Sequence, residues 1–484
     1  MKPIRKVILN GFFWSITNQI SITLVGLVIS GVLSRLIKPA EFGIIAMVSM
    51  AIGFLNVIKD FGFGAALIHK KEVSDDEYST VFWFNLIIGV ALTAIVFIAS
   101  PYIGDFFNEK EVEYVTKILS FTFIINSVGI VWSNRLLKEV AFKQIFYRSF
   151  ISTIISGTCA IILALNNYGV WALVAQVYTA LIINTFLNYL HVKWLPSFVI
   201  KKKYVRHLVQ FGIPLLADQS INYWVRNIDN LLVGKVFGKN TLAYYNKAYT
   251  LMLLPVEQLT STLTKVLFPS FALIQDDRPQ IANIYLKISR VIAFIAFPVM
   301  ISLSMLAKPL ILIVYGKNWT QVIPIFEVLS ILGMFQALGA LSGDIYLSLG
   351  ETKLMFKVGL FSKTTMISGI VLGLYIGGLM GMVYGYCIGS TIAFLPELYF
   401  IGRLINIKLK EIIFNFMPYL FIAGICFLII RVIFNQLHVN IVLDFFIKLT
   451  SFGTIYLFLN FLIKPKAYTD ILSIINSKKS EIGF

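Results

Sequence analysis

The sequence contains few charged residues and very few cysteines or histidines. Only 13% of its 484 residues are charged and 58% are hydrophobic, against roughly 25% and 45–50% in soluble domains. Cys159, Cys387 and Cys426 all lie in apolar runs without a Cys-x-x-Cys spacing, which excludes a disulfide framework and a zinc site. A soluble protein could not bury so much apolar surface, so we predict an integral membrane protein.

Catalytic and nucleotide-binding motifs are missing as well. The sequence has no Walker phosphate loop, no HExxH zinc motif and no nucleophile elbow. The DFGFG string at 60–64 copies a kinase triplet, but it ends an apolar run without a catalytic-loop HRD. We therefore predict a transporter rather than an enzyme, with no metal or cofactor.

Long apolar runs follow one another along the whole chain. A membrane-spanning helix needs about 20 mainly apolar residues, and about fourteen such runs occur here. The fold predicted from them is all-α. The runs are approximately 11–36, 41–66, 78–99, 114–134, 146–166, 169–191, 211–236, 241–268, 285–307, 322–348, 354–377, 379–402, 412–434 and 441–463.

The net charge of +17 has a topological explanation. With a cytoplasmic N-terminus, about 26 Lys and Arg residues fall on the inner side and about 8 on the outer side, as the positive-inside rule requires. This distribution places both termini in the cytoplasm. The Lys201–Lys203 cluster also suits anionic lipid headgroups, and no nucleic-acid partner is needed to explain the charge.

An internal repeat divides the chain. The segments SRLIKPAEFGII near Ser34 and GKVFGKNTLAYY near Gly234 match at a shift of 200 residues, which also aligns Arg35 with Lys235. A parallel repeat of this kind predicts two bundles that can rock against each other. We predict six-helix bundles at 1–200 and 201–405, followed by two extra helices and a basic tail at 406–484.

Small residues recur every fourth position in three of the predicted helices. Such spacing lets two helix backbones approach closely within a membrane. The sequence therefore predicts tight packing at the following positions: Ser152, Ser156, Ala160 and Ala164 in the fifth helix, and Gly369, Gly373, Gly377, Gly381, Gly385 and Gly389 in the eleventh and twelfth.

Several ionisable residues lie at membrane depth, where they normally face a bundle interior or a watery cavity. Asp218, Asn222, Arg226 and Asp229 recur at i, i+4, i+8 and i+11, on one face of the seventh helix. One interpretation is that this face binds an anionic substrate. The alternative is that Arg226 pairs with Asp229 and only joins helices.

Other polar residues extend the candidate substrate site. Lys247 on the eighth helix and Lys363 on the eleventh offer further cations, and Asn18 and Gln19 on the first offer hydrogen bonds. Asn18 and Gln19 could equally bridge helices. For Lys59 a structural role is favoured, because its side chain can reach the cytoplasmic interface.

Six strings carry a resemblance to a known family. The chain resembles the polysaccharide exporter, or Wzx-type flippase, branch of the multidrug/oligosaccharidyl-lipid/polysaccharide superfamily, most strongly in its first 190 residues. The strings are SRLIKPAEFGIIAM, DFGFGAALI, YSTVFWFN, YGVWALVAQ, AYYNKAY and PLILIVYGKNW.

The resemblance implies a MATE-like fold in the bacterial inner membrane with a central cavity. It implies translocation of undecaprenyl-diphosphate-linked oligosaccharide for O-antigen, capsule or exopolysaccharide synthesis, with membrane lipids, a polysaccharide polymerase and chain-length proteins as partners. Lipid II flippases carry cavity-facing arginines on early helices, whereas Arg35 lies at the outer end of the first helix, which argues against lipid II as substrate. A multidrug cation antiporter and a membrane polymerase or glycosyltransferase stay as alternatives.

Overall fold

A computed structural model describes residues 2–60, 67, 70, 73–434 and 440–470. These residues are helical almost throughout and include no strand, so the all-α prediction is confirmed. A 3-10 turn at Lys317–Trp319 separates two of the helices. The helices are α1 (Lys2–Leu36), α2 (Pro39–Asp60), α3 (Asp75–Phe107), α4 (Lys110–Ser120), α5 (Thr122–Lys138), α6 (Phe142–Leu165), α7 (Val170–Val192), α8 (Lys202–Leu273), α9 (Arg278–Met305), α10 (Ala307–Val314), α11 (Val322–Ser348), α12 (Thr352–Leu404), α13 (Leu409–Phe434) and α14 (Ile441–Ile463).

Eleven segments within the described residues are long and apolar enough to cross a membrane, including α4 and α5 together as one segment. This establishes a multi-pass membrane protein. Two helices are far longer than a bilayer needs: α8 has 72 residues and α12 has 53. The backbone leaves helical geometry at Gly238 in α8 and at Gly377 and Gly378 in α12. The total of about fourteen crossings stays a prediction.

The chain divides into two compact units, Met1–Asn246 and Lys247–Phe484. The division falls inside α8, a short distance after the break at Gly238, so the first part of α8 belongs to the N-terminal unit. The predicted bundles at 1–200 and 201–405 and the appendage at 406–484 stay a prediction. Residues 61–66, which end the second predicted run, lie outside the described residues.

In the N-terminal unit, α6 packs its small-residue face against α1 and α7. Ala160 and Ala164 are fully or almost fully buried in a cluster with Ile29 and Leu33 of α1. The Ser152 hydroxyl donates to the carbonyl of Ala180 in α7 at 2.9 Å. The small residues of the fifth predicted helix therefore have the packing role that their spacing predicts.

A polar clamp holds the first part of α8 to the corner between α3 and α4. Lys235 Nζ donates to the Phe106 carbonyl at 2.6 Å, and Lys239 Nζ lies 2.9 Å from Glu109 Oε2 and 3.4 Å from Glu111 Oε2. The hydrogen bond to Glu109 raises the pKa of Lys239. Lys239 therefore stays protonated at physiological pH, and the clamp persists there.

In the C-terminal unit, α12 is a hairpin of two closely packed helices. Gly378 has a φ of 57°, a left-handed conformation that glycine adopts without strain. A Cβ atom on Gly373 would overlap the backbone carbonyl of Gly381, and one on Gly369 would overlap that of Gly385. The predicted close contact is confirmed at Gly369, Gly373, Gly381, Gly385 and Gly389, where only a hydrogen fits between the backbones. It is wrong for Gly377, because no heavy atom lies within 4 Å of the position its Cβ would occupy.

The last two helices of this unit are fastened to α9 by polar contacts. Arg290 Nη1 on α9 donates to Asn415 Oδ1 on α13 at 2.9 Å, and its Nη2 donates to Asp470 Oδ2 at 3.1 Å. The Tyr419 hydroxyl accepts a hydrogen bond from the Ala467 amide at 2.9 Å. One arginine therefore ties the segment after α14 to both α9 and α13.

We expect Asp470→Asn to lower the free energy of unfolding by about 1–3 kcal/mol, because Arg290 is largely buried and would lose its ionic partner. Thermal unfolding of the detergent-solubilised protein measures this loss. Glu411→Gln on exposed α13 surface is the matched control and should leave the melting temperature unchanged. Equal melting temperatures for Asp470→Asn and the wild type would show that this ion pair does not hold the helices.

Candidate functional site

A polar cavity of about 340 Å³ lies inside the N-terminal unit. It is lined by α2, α5, α6 and α7, and two cations, Lys59 and Arg148, contribute to its wall. Hydrogen-bonding side chains dominate the rest of its wall: Asn126, Ser133, Ser149, Asn184, Thr185 and Asn188. These groups all belong to helices that cross the membrane. The two cations suit an anionic ligand, and the amides and hydroxyls suit a ligand with many hydroxyl groups.

Arg148 is the best-anchored cation of this cavity. Its Nη1 donates to Asn188 Oδ1 at 2.7 Å and to Ser133 Oγ at 3.1 Å. Its Nε is buried and makes no hydrogen bond within the described part of the chain. Asn184 is fixed separately, since its Nδ2 donates to Ser152 Oγ at 2.7 Å. Anchored side chains of this kind hold their polar groups in place before a ligand arrives.

Three of the predicted site residues on α8 lie in different environments. Arg226 is exposed and forms no ion pair or hydrogen bond with any described residue, whereas Asn222 is half-buried. Asp229 is 3% exposed, and its carboxylate accepts hydrogen bonds from the Tyr245 hydroxyl at 2.7 Å and the Asn230 amide at 2.8 Å. The Arg226–Asp229 ion pair is therefore not formed, and Asp229 has a packing partner instead. The side chain of Asp218 lies outside the described set.

The two polar residues of α1 are differently placed. Gln19 is exposed, and Asn18 is half-buried. The Asn18 Oδ1 atom is buried and has no hydrogen-bond partner among the described residues. Their role in binding stays a prediction.

In the C-terminal unit, Lys247 packs against two aromatic rings. Its Nζ lies 4.9 Å from the ring centroid of Tyr315 and 5.4 Å from that of Trp319. Trp319 is fully buried and Tyr315 nearly so. Cation–π contacts of this geometry hold an ammonium group in place within a largely apolar environment. They also join AYYNKAY to PLILIVYGKNW, two of the strings that carry the family resemblance.

Lys363 lines a second cavity, of about 200 Å³, in the C-terminal unit. Glu397, Gln336 and Tyr386 share its wall. Gln336 Nε2 donates to the Tyr386 hydroxyl at 3.4 Å, and the Tyr249 hydroxyl lies 3.5 Å from the same oxygen. This cavity contains charges of both signs, unlike the one around Arg148.

The predicted site residues are thus divided between the units. Asn18, Gln19, Asn222, Arg226 and Asp229 belong to the N-terminal unit, whereas Lys247 and Lys363 belong to the C-terminal unit. Sequence reasoning missed Arg148, because a cation near the inner end of a helix is adequately explained by topology. The amides at Asn184 and Asn188, one turn apart on the adjacent helix, were the available signal.

Long apolar helices in two compact units, with ionisable residues lining a cavity in each unit, characterise the fold. The structure resembles that of the lipid II flippase MurJ in an inward closed conformation, with a TM-score of 0.75. The match covers 95% of this chain and 99% of that one at 16% sequence identity. At that identity the likeness concerns the fold.

The sequence comparison identifies the family. The polysaccharide biosynthesis protein family matches residues 32–324, more than half of the chain, and the protein belongs to that family. The lipopolysaccharide biosynthesis protein WzxC of Escherichia coli (strain K12) is 27% identical over 395 residues, covering 80% of each chain. The teichuronic acid biosynthesis protein TuaB of Bacillus subtilis (strain 168) is 27% identical over 433 residues, covering 88% of each.

Proposed function

We propose that the protein is a flippase for undecaprenyl-diphosphate-linked oligosaccharide repeat units in the bacterial inner membrane. Its cargo then serves the synthesis of a surface polysaccharide. Membership of the polysaccharide biosynthesis family supports this proposal, as does the role of two relatives in making lipopolysaccharide and teichuronic acid. The observation that carries it is the cavity around Arg148, which offers cations and amides at membrane depth.

The physical problem for such a cargo is its headgroup. A diphosphate and several sugar hydroxyls would lose their water in bare hydrocarbon, at a cost of several kcal/mol for each unsatisfied group. Fixed cations and amides along the path replace those lost hydrogen bonds and lower the barrier. The polyprenyl chain needs no such replacement and can stay in the lipid throughout.

Specific residues have complementary roles in this proposal. Arg226, Lys247 and Lys363 neutralise the diphosphate during passage, with Arg148 and Lys59 added from the cavity of the N-terminal unit. Asn18, Gln19 and Asn222 donate and accept hydrogen bonds with sugar hydroxyls. Asp229 acts through Tyr245, which it holds at 2.7 Å.

The proposed orientation places both chain termini in the cytoplasm. The cavity of the N-terminal unit then lies in the cytoplasmic half of the bundle, because Lys59 and Asn188 lie near the ends of α2 and α7 and Arg148 lies near the start of α6. Lipid-linked units would enter from the side on which they are assembled. Polymerase and chain-length proteins are the expected recipients on the outer side.

A deletion strain tests this proposal. We expect lipid-linked repeat units to accumulate on the cytoplasmic face of its inner membrane, measured by comparing their accessibility in intact and inverted vesicles. Wild-type protein should clear them and Arg148→Gln should not, whereas Lys143→Gln, an exposed position on the same helix, serves as the control. Accumulation on the outer face would contradict the proposal and indicate a polymerase.

A further inference from the structure

A third cavity, of about 250 Å³, lies in the C-terminal unit between α9, α11, α13 and α14. Its polar lining consists of Ser304, Glu327, Arg431 and Lys448, and Phe427 and Ile430 contribute an apolar wall. It lies where α9 and α13 end and α11 and α14 begin. In the proposed orientation this is the outer side of the membrane.

The charged groups of this cavity lie close to the ends of their helices. Arg431 precedes the end of α13 by one turn, and Glu327 and Lys448 follow the starts of α11 and α14. At a rise of 1.5 Å per residue, all three lie within about 11 Å of a helix end. This is the depth at which long charged side chains reach lipid phosphates.

Glu327 and Arg431 attract each other electrostatically but form no ion pair within 4.0 Å. Both are exposed, and within the described residues neither forms an ion pair or a hydrogen bond through its charged group. The Arg431 guanidinium lies 6.0 Å from the Phe427 ring centroid on its own helix. Lys448, by contrast, is paired with Asp444 at 2.8 Å. The cavity therefore contains a cation and a carboxylate that lie near each other without a direct ion pair.

The positive-inside rule does not explain why an arginine occurs at position 431. Positive residues favour the inner side of a membrane protein, and few occur on the outer side of this one. The backbone of Glu327 is held by Ser304, whose hydroxyl donates to the Glu327 carbonyl at 2.9 Å. A carboxylate and a cation that line one cavity suit a ligand that carries both charges.

We infer that this cavity binds the headgroup of a zwitterionic phospholipid with a primary amine. The lipid phosphate accepts hydrogen bonds from Arg431, whose guanidinium matches phosphate geometry, with Lys448 adding positive charge. The ammonium group faces Glu327, and the glycerol end lies against Phe427 and Ile430. The charges of Glu327, Arg431, Lys448 and Asp444 sum to zero, so the site as a whole does not favour an anionic ligand. An anionic lipid without an ammonium group would leave the Glu327 carboxylate without a partner from the ligand.

Lipid binding to the purified, delipidated protein tests this inference without measuring transport. We expect dioleoylphosphatidylethanolamine to raise the melting temperature. We also expect it to bind at least about tenfold more tightly than dioleoylphosphatidylglycerol, the effect of one charge-assisted contact. Arg431→Gln and Glu327→Gln should each weaken its binding at least about tenfold. Lys308→Gln is the control and should bind like the wild type. Lys308 is an exposed cation at the start of α10, just after α9 ends.

Native mass spectrometry provides a second readout that does not depend on stability. The wild type and Lys308→Gln should retain one phosphatidylethanolamine that Arg431→Gln loses. Equal binding of the two lipids, or unchanged binding by Glu327→Gln, would overturn the assignment. Full stabilisation by inorganic phosphate alone would show that the site takes free phosphate rather than a lipid headgroup.

Discussion

Arg226→Ala is expected to reduce flipping at least about tenfold, the effect of losing one charge-assisted hydrogen bond to the cargo diphosphate. The amount of protein in the membrane should not change. Arg226 is exposed and makes no ion pair within the described residues, so the fold does not depend on its side chain. Flipping is measured as the clearance of lipid-linked units from the cytoplasmic face of a deletion strain.

Two further variants sharpen this prediction. Arg226→Lys keeps the positive charge and should retain much of the activity, although it loses the two-pronged geometry that guanidinium offers to phosphate. Lys203→Ala removes another exposed cation from the same helix and should behave like the wild type. Full activity of Arg226→Ala at wild-type protein level would reject Arg226 as a substrate-binding residue.

Gly373→Leu is expected to remove most folded protein from the membrane. A Cβ atom at this position would overlap the carbonyl oxygen of Gly381, and that atom belongs to backbone rather than to a flexible side chain. The two halves of α12 would have to separate, at a cost of about 1–3 kcal/mol or more. Membrane protein level and the melting temperature of the solubilised protein measure the effect.

Gly359→Leu is the matched control for this effect. Gly359 lies on the same helix, and no heavy atom lies within 4 Å of the position its Cβ would occupy. Its substitution should leave protein level and melting temperature near those of the wild type. If Gly373→Leu also folds normally, the close glycine contact is not what holds the hairpin together.

The sequence predicted those parts of the fold that depend on local patterns. Apolar runs of membrane length gave the helices, and the four-residue spacing of Gly369, Gly373, Gly381 and Gly385 gave the contact within α12. Such patterns can be recognised in a sequence because a single side-chain property, apolarity or small size, determines whether the segment spans the membrane or packs closely. The predicted runs also separate between 236 and 241 and between 377 and 379, where the backbone leaves helical geometry at Gly238 and at Gly377 and Gly378.

The candidate site was harder to predict, because its residues come from separate helices. The cavity around Arg148 combines α2, α5, α6 and α7, and no spacing within one helix brings Lys59 next to Asn126 and Arg148. Asp229 shows the same limit: its i+3 spacing from Arg226 left an ion pair open as one alternative, but Tyr245 from beyond the Gly238 break binds it instead. Tertiary contacts override local pairing in both cases.

The most direct test of the flippase account uses purified protein in lipid vesicles. Vesicles loaded with a fluorescent undecaprenyl-diphosphate oligosaccharide would be treated with a reagent that quenches only headgroups in the outer leaflet. We expect protein-containing vesicles to lose nearly all fluorescence, because headgroups from the inner leaflet reach the reagent, and Arg226→Ala vesicles to lose the inner-leaflet half at least about tenfold more slowly. Loss of only the outer-leaflet half by wild-type vesicles, as in protein-free ones, would contradict the account.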